Sequence, residues 1–150
     1  MQTIHVQGTD LAYEEKDLIR FDEGLIGMPQ LHRMVLIHYS EIAPLLLLCS
    51  LDQPEVTFLV LEAVSHVPDY APRFSPAVRQ QLGLTEGEEP VILATVTIAS
   101  EWTASTINLR APLVIAPATM RGAQIVLNDS HYQLTAPLPS LGQKETAVGK

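Results

Sequence analysis

The sequence predicts a mostly β protein: a small, antiparallel, barrel-like sheet in a single domain, with one short helix. Three observations predict it. Short β-branched or leucine-rich runs recur along the chain, separated by turn residues, at spacings that suit a meander better than helices. Strict alternation marks Ala94-Thr95-Val96-Thr97-Ile98, where period two sets both threonines on one face. The 150 residues are 47% hydrophobic and only 17% charged, one domain's length with ample material for a core, which excludes disorder of the whole chain.

In chain order, the expected strands are Thr3 to Val6, Asp17 to Phe21, Arg33 to His38, Leu46 to Ser50, Val56 to Glu62, Val91 to Ile98, Leu113 to Ala116, Gln124 to Leu127 and His131 to Thr135. Turn residues interrupt them at Asp22-Glu23-Gly24, Gly27-Met28-Pro29, Asp52-Gln53-Pro54, Gly87 to Pro90, Arg121-Gly122 and Asn128-Asp129-Ser130. Val56 to Leu61 is apolar at nearly every position, so that strand needs cover on both faces and the sheet needs a lid or a partner. Most prolines, such as Pro54, Pro90 and Pro112, fall at run edges where no ladder donor is lost.

The helix begins with Ser75 as cap and Pro76 in the first turn, and Gly83 stands where a left-handed terminator is wanted. Val78 and Leu82, four apart, share its buried face. A shorter helical turn is expected around Pro29 to Arg33. The β domain is drawn as residues 1–136, and the patternless stretch 137–150 as a frayed tail.

The five histidines, His5, His32, His38, His66 and His131, lie too far apart for a zinc spacing, and Cys49 has no second cysteine, so no metal site is expected. Cys49 lies in an apolar stretch, where a thiol behaves as a small hydrophobe, and a reducing compartment is the simpler reading. Asn128-Asp129-Ser130-His131 holds the residue types of a hydrolase triad, but sequence neighbours point in different directions and a triad is assembled by geometry. No nucleophile elbow, Walker-type loop or dinucleotide fingerprint occurs. No catalytic residue and no cofactor is assigned; the competing readings are a hydrolase that joins a carboxylate to His66 or His131, and a self-assembling module with a subunit contact at Leu45 to Leu48.

Formal charge is −8, so nucleic acid is repelled on average. No secretory leader is expected from the first residues, and the longest apolar stretch, Ile42 to Cys49, is far short of the roughly 18 to 20 residues that cross a bilayer. Acid clusters in Asp10 to Glu23, which sets six carboxylates against Lys16 and Arg20. That cluster is either a solvated face or a docking surface for a basic partner. Trp102, in a polar stretch after the strand ending near Ile98, either folds back over one barrel end or, exposed, anchors a partner.

Five segments, IRFDEGLIGMP, CSLDQPEVTFLVLE, PDY, INLRAPLVI and RGAQIVLNDSHY, resemble in order and spacing the FliW family of flagellar assembly factors. Each also reads physically. Gly24 and Gly27 allow turns, Asp52 can bond nearby backbone donors, Asn108 reads as a loop brace, and Arg110 can clamp an internal or a partner carboxylate. The resemblance implies a small antiparallel β-barrel, a cytoplasmic location, and binding of two partners, flagellin and the CsrA-type translational regulator whose repression of flagellin synthesis it relieves. Partner-facing residues carried over on the motif are Asp22, Glu23, Asp52, Glu62 and Arg110. Met28 and Leu45 stand where the family usually has aromatics, Cys49 where it has glutamine and Ile107 where it has alanine. A surface aromatic lost at Met28 or Leu45 would weaken one interaction by about 1 to 2 kcal/mol.

Overall fold

Eleven strands and two helices order the chain in a computed structural model that describes residues 2–6, 8–128 and 131–141. A hairpin of β1 (Gln2–Val6) and β2 (Thr9–Tyr13) comes first, then β3 (Leu18–Phe21), β4 (Arg33–Ile37), β5 (Leu46–Ser50) and β6 (Thr57–Glu62). Two helices follow, α1 (Ala63–His66) and α2 (Pro76–Leu82), and then β7 (Val91–Thr97), β8 (Thr106–Ile107), β9 (Leu113–Ala116), β10 (Arg121–Gln124) and β11 (Ala136–Pro137). Strands β3 to β7 form an antiparallel meander. β10 pairs with β3 in parallel and with β9 in antiparallel fashion, and β9 returns to β7 through Val91↔Ile115 and Leu93↔Leu113. That last pairing closes a seven-stranded barrel. The far end of β7 leaves the ring and pairs with β8, which carries β11 as its outer neighbour.

Register decides what each side chain buries. Leu46↔Val60 and Leu48↔Phe58 face the interior, while Leu47↔Leu59 and Cys49↔Thr57 face outward, because neighbours on one strand alternate and partners on adjacent strands share a face. Phe21, Leu31, Met34, Leu48, Val60 and Leu93 fill the inside and are essentially inaccessible to solvent. Gly122 on β10 belongs to this filling: a Cβ there would come within 2.8 Å of the Phe21 ring, so only glycine admits the phenyl group.

The outer face is covered in three places, which explains strands that are apolar on both sides. The β1–β2 hairpin sets Ile4 and Val6 over Val35, Ile37 and Cys49. Helix α2 sets Leu82 against Val114, Ala116 and Ala123. Tyr70, Leu127, Ala136 and Leu141 close over Leu61, Ala94 and Ile107. The α2 cap is as the sequence predicts: Ser75 Oγ accepts from Val78 N at 3.2 Å, and Gly83 adopts φ 74° and terminates the helix. Glu88 then ties the following loop to the β9–β10 turn, accepting from Thr85 N at 3.0 Å and from Ala118 N at 3.2 Å, and these backbone donors hold its carboxyl below the usual range.

Several expectations are corrected. The strand placed at Gln124 to Leu127 lies at Arg121–Gln124, because Gly122 is a packing glycine and not a turn; beyond it Ile125 and Leu127 still donate to Pro112 O and Arg110 O. His131 to Thr135 forms no strand. Tyr132 packs edge-on against Tyr70 at 4.8 Å and its hydroxyl accepts from Ala71 N, so the chain follows those contacts until β11. No helix forms at Pro29 to Arg33, where the wholly buried Leu31 pulls the chain into the barrel end before β4 begins. The end of the chain does not fray from Pro137: that residue pairs with Thr106, Leu138 N donates to Ser105 O, and Leu141 is buried. Asp129 and Ser130 of the expected turn, and positions 142–150 of the expected tail, lie outside the described residues. Strands β2, β8 and β11 and helix α1 go unforeseen by the sequence.

Candidate partner-docking groove

One end of the barrel and the adjoining outer face share an open groove of about 800 Å³. Its lining takes Phe58 and Leu113 from the barrel interior and Leu59 and Val96 from the outer face, the turn after β3 supplies Leu25, Ile26 and Met28, and none of the lining residues is charged. The turn is closed by reciprocal bonds, Leu25 N to Met28 O at 3.1 Å and Met28 N to Leu25 O at 2.8 Å. Gly24 makes it possible, with φ 68° and the Pro29 carbonyl oxygen 2.4 Å from where a Cβ would stand. Gln124 on β10 clamps the turn to the wall: its Oε1 accepts from Ile26 N at 2.9 Å and its Nε2 donates to Ala111 O at 3.1 Å. The clamp holds Ile26 out at 59% exposure, and Ile98, just past β7, lines the same groove at 40%. Such a surface can bury apolar side chains of another molecule; with Tyr39 as its one phenol and no carboxylate, imidazole or amine in its lining, it offers little for proton transfer.

The five residues singled out from sequence are not gathered at this groove. Asp22 and Glu23 are exposed in the turn that carries Ile26, beside the groove but outside its lining. Asp52 is a brace: its carboxylate accepts from His32 N at 2.7 Å, Arg33 N at 2.8 Å and Arg33 Nε at 3.0 Å. Burial pushes its pKa up, but those donors and the Arg33 charge together outweigh burial and hold it below the usual carboxylate value. Glu62 is exposed at the end of β6, where its carbonyl accepts from His66 Nδ1 at 3.0 Å. Arg110 is half-buried, and among the described residues no carboxylate lies within ion-pair distance of it. Asn108 is the loop brace expected, its Oδ1 accepting from Arg110 N at 3.1 Å and Ala111 N at 3.0 Å.

Other sequence readings also change in the fold. Leu45 is only 7% exposed and packs in the core, so no surface aromatic is missing there; Met28 is half-buried and does line the groove. Of the stretch Leu45 to Leu48 read as a subunit contact, Leu45 and Leu48 are buried, and Leu46 and Leu47 are only partly exposed, Leu47 lining the groove. Cys49 is buried and burial pushes its thiol up, while Ile107 is a core residue. The two histidines of the hydrolase reading do other work: His66 caps its own turn and the His131 ring packs 4.6 Å from that of Tyr132. Tyr70, whose phenol burial pushes upward, donates to Leu109 O at 2.8 Å. Trp102 stands 48% exposed and does not fold over the barrel. The groove itself was missed, and its available signal was Ile26, an isoleucine placed between two glycines where a turn tip is ordinarily polar.

Comparison with known proteins agrees with this architecture. The profile of the FliW protein family matches residues 4–138. The chain is similar to the flagellar assembly factor FliW of Geobacter sulfurreducens, 33% identical with 94% of this chain and 88% of that protein covered. A flagellar assembly factor FliW from Clostridium beijerinckii is 31% identical, with 86% and 92% covered. The crystal structure of the flagellar assembly factor FliW superposes with a TM-score of 0.83 at 26% identity, covering 93% of this chain and 98% of that one. With the family profile matched over residues 4–138, a relative 33% identical over most of both chains, and the same barrel in a solved structure, the chain belongs to the FliW family.

Proposed function

We propose that this protein is a flagellar assembly factor that works in the cytoplasm by binding flagellin and a CsrA-type translational regulator, with no turnover of a substrate. Free flagellin occupies it and releases the regulator, and export of flagellin returns it to the regulator and permits flagellin synthesis. The single observation that carries a binding role is the uncharged groove with Ile26 and Ile98 standing at its mouth above a barrel filled by side chains. An apolar segment of flagellin suits that groove. The basic, RNA-binding regulator suits the carboxylates of Asp22 and Glu23 in the neighbouring turn.

Calorimetric competition between purified flagellin and purified CsrA tests the reading. Each partner is expected to bind and to displace the other, and Ile26→Asp with Ile98→Asp should weaken flagellin by about tenfold or more, as loss of paired apolar anchors does. Absence of both interactions at about 50 μM, a Kd beyond which the complex would be negligible at cellular concentrations, overturns it.

A further inference from the structure

Strand register places three arginines side by side. Arg121 of β10 is the parallel partner of Arg20 of β3, and Arg20 is the antiparallel partner of Arg33 of β4. Partners in register share a face and stand about 4.8 Å apart. Ile19 and Phe21 point into the barrel, so Arg20 and its neighbours point outward, and all three are exposed. Like charges on facing rungs are destabilising, yet a chain with nine cations against seventeen carboxylates sets three of them on consecutive strands.

Only one of the three is neutralised locally. Arg33 is held by Asp52 at 3.0 Å. Arg121 gives one N–H to Gln81 O at 3.2 Å, at the end of α2. Among the described residues no carboxylate is within ion-pair distance of Arg20 or Arg121. Both line a polar hollow of about 320 Å³, together with Glu15, Asp22 and Thr119.

We propose that Arg20 and Arg121 form a seat for a carboxylate, through which an acidic segment of a protein partner docks on the outer face of β10 and β3. Two guanidinium forks at one strand spacing can converge on a single carboxylate or hold two of them in parallel. The hollow also selects against a polyanion. Glu15 and Asp22 share its wall and the whole chain carries −8, so a phosphate backbone meets repulsion that one or two peptide carboxylates avoid. The seat is separate from the groove lining, and its chemistry is independent of flagellin or the regulator.

The test titrates the full chain with a labelled, end-capped peptide that carries two adjacent glutamates, by fluorescence anisotropy at low salt, with a single-stranded RNA hexanucleotide in a parallel arm. The peptide should bind, Arg20→Gln with Arg121→Gln should weaken it about tenfold, as loss of charge-assisted bonds does, and Glu15→Gln with Asp22→Asn should strengthen it. The melting temperature of Arg20→Gln alone should hold or rise, since one like-charge contact is removed. Equal peptide affinity for parent and double-arginine variant, no peptide binding at millimolar concentration, tighter binding of RNA, or a fall in the melting temperature of Arg20→Gln would each overturn the seat. None of these arms uses flagellin or CsrA, so their outcome is separate from that of the competition experiment.

Discussion

At the scale of single residues, Asp52 shows how a motif carboxylate can be spoken for by the fold. Its oxygens satisfy two backbone donors at the start of β4 and the Arg33 side chain, which pins that strand to the β5–β6 turn. The sequence reading expected bonds to nearby donors; the donors are instead 19 and 20 residues away, because Asp52 follows the strand that pairs with β4. Removing it as Asp52→Ala leaves two N–H groups short of an acceptor and should cost about 1 to 3 kcal/mol in denaturant unfolding. The pH dependence follows in sign. The folded pKa is below the 3.8 of a free aspartate, so the carboxylate's stabilisation is complete above that value and is lost as pH falls through the folded pKa. Asp52→Asn should therefore flatten the acid limb of the stability curve below about pH 4, and an unchanged limb would deny the brace.

At the scale of elements, the fold depends on lids as much as on strands. Strands β4 to β7 read as apolar runs because the barrel lies on one side and a lid on the other, and that much was legible from Val56 to Leu61. The lids were legible unevenly. Helix α2 announced itself by Ser75, Pro76 and Gly83, whose capping roles are local chemistry. Strand β2 did not, because Leu11 and Tyr13 face the sheet from within an acidic stretch whose charge hides a short alternation. Strand β8 is two residues long, too short to show an alternation. The hairpin lid can be tested through what it covers. Ile4→Asp would put an uncompensated carboxylate under the hairpin, against Val35 and Cys49, and should detach it. Cys49 should then react with a thiol reagent at least about tenfold faster, since local opening exposes a thiol that is otherwise sealed. Unaltered reactivity would mean that the hairpin does not guard the outer face.

For the whole molecule, the distribution of charge separates two kinds of surface. The groove carries none, the arginine row concentrates cations on one outer face, and the turn after β3 holds Asp22 and Glu23 between them. The barrel, its family and the acidic turn were legible because turns, apolar runs and charge are local in the chain, whereas the groove and the arginine row were not, because they are made by register and by which lid stops where. Arg20, Arg33 and Arg121 are scattered in sequence and become neighbours only once β10 joins β3 in parallel. A partner with a basic surface should sense the acidic turn during approach rather than after docking, since exposed charges act over about 8 to 10 Å and are screened by salt. Reversing Asp22 and Glu23 together to lysine should therefore slow association with CsrA by about tenfold at low ionic strength while changing dissociation by about twofold or less. Raising salt should bring the two association rates together, because the long-range term is the part that screening removes. If parent and variant associate equally fast in low salt, the acidic turn faces away from the regulator, and the attraction must come from another part of a chain that is negative overall.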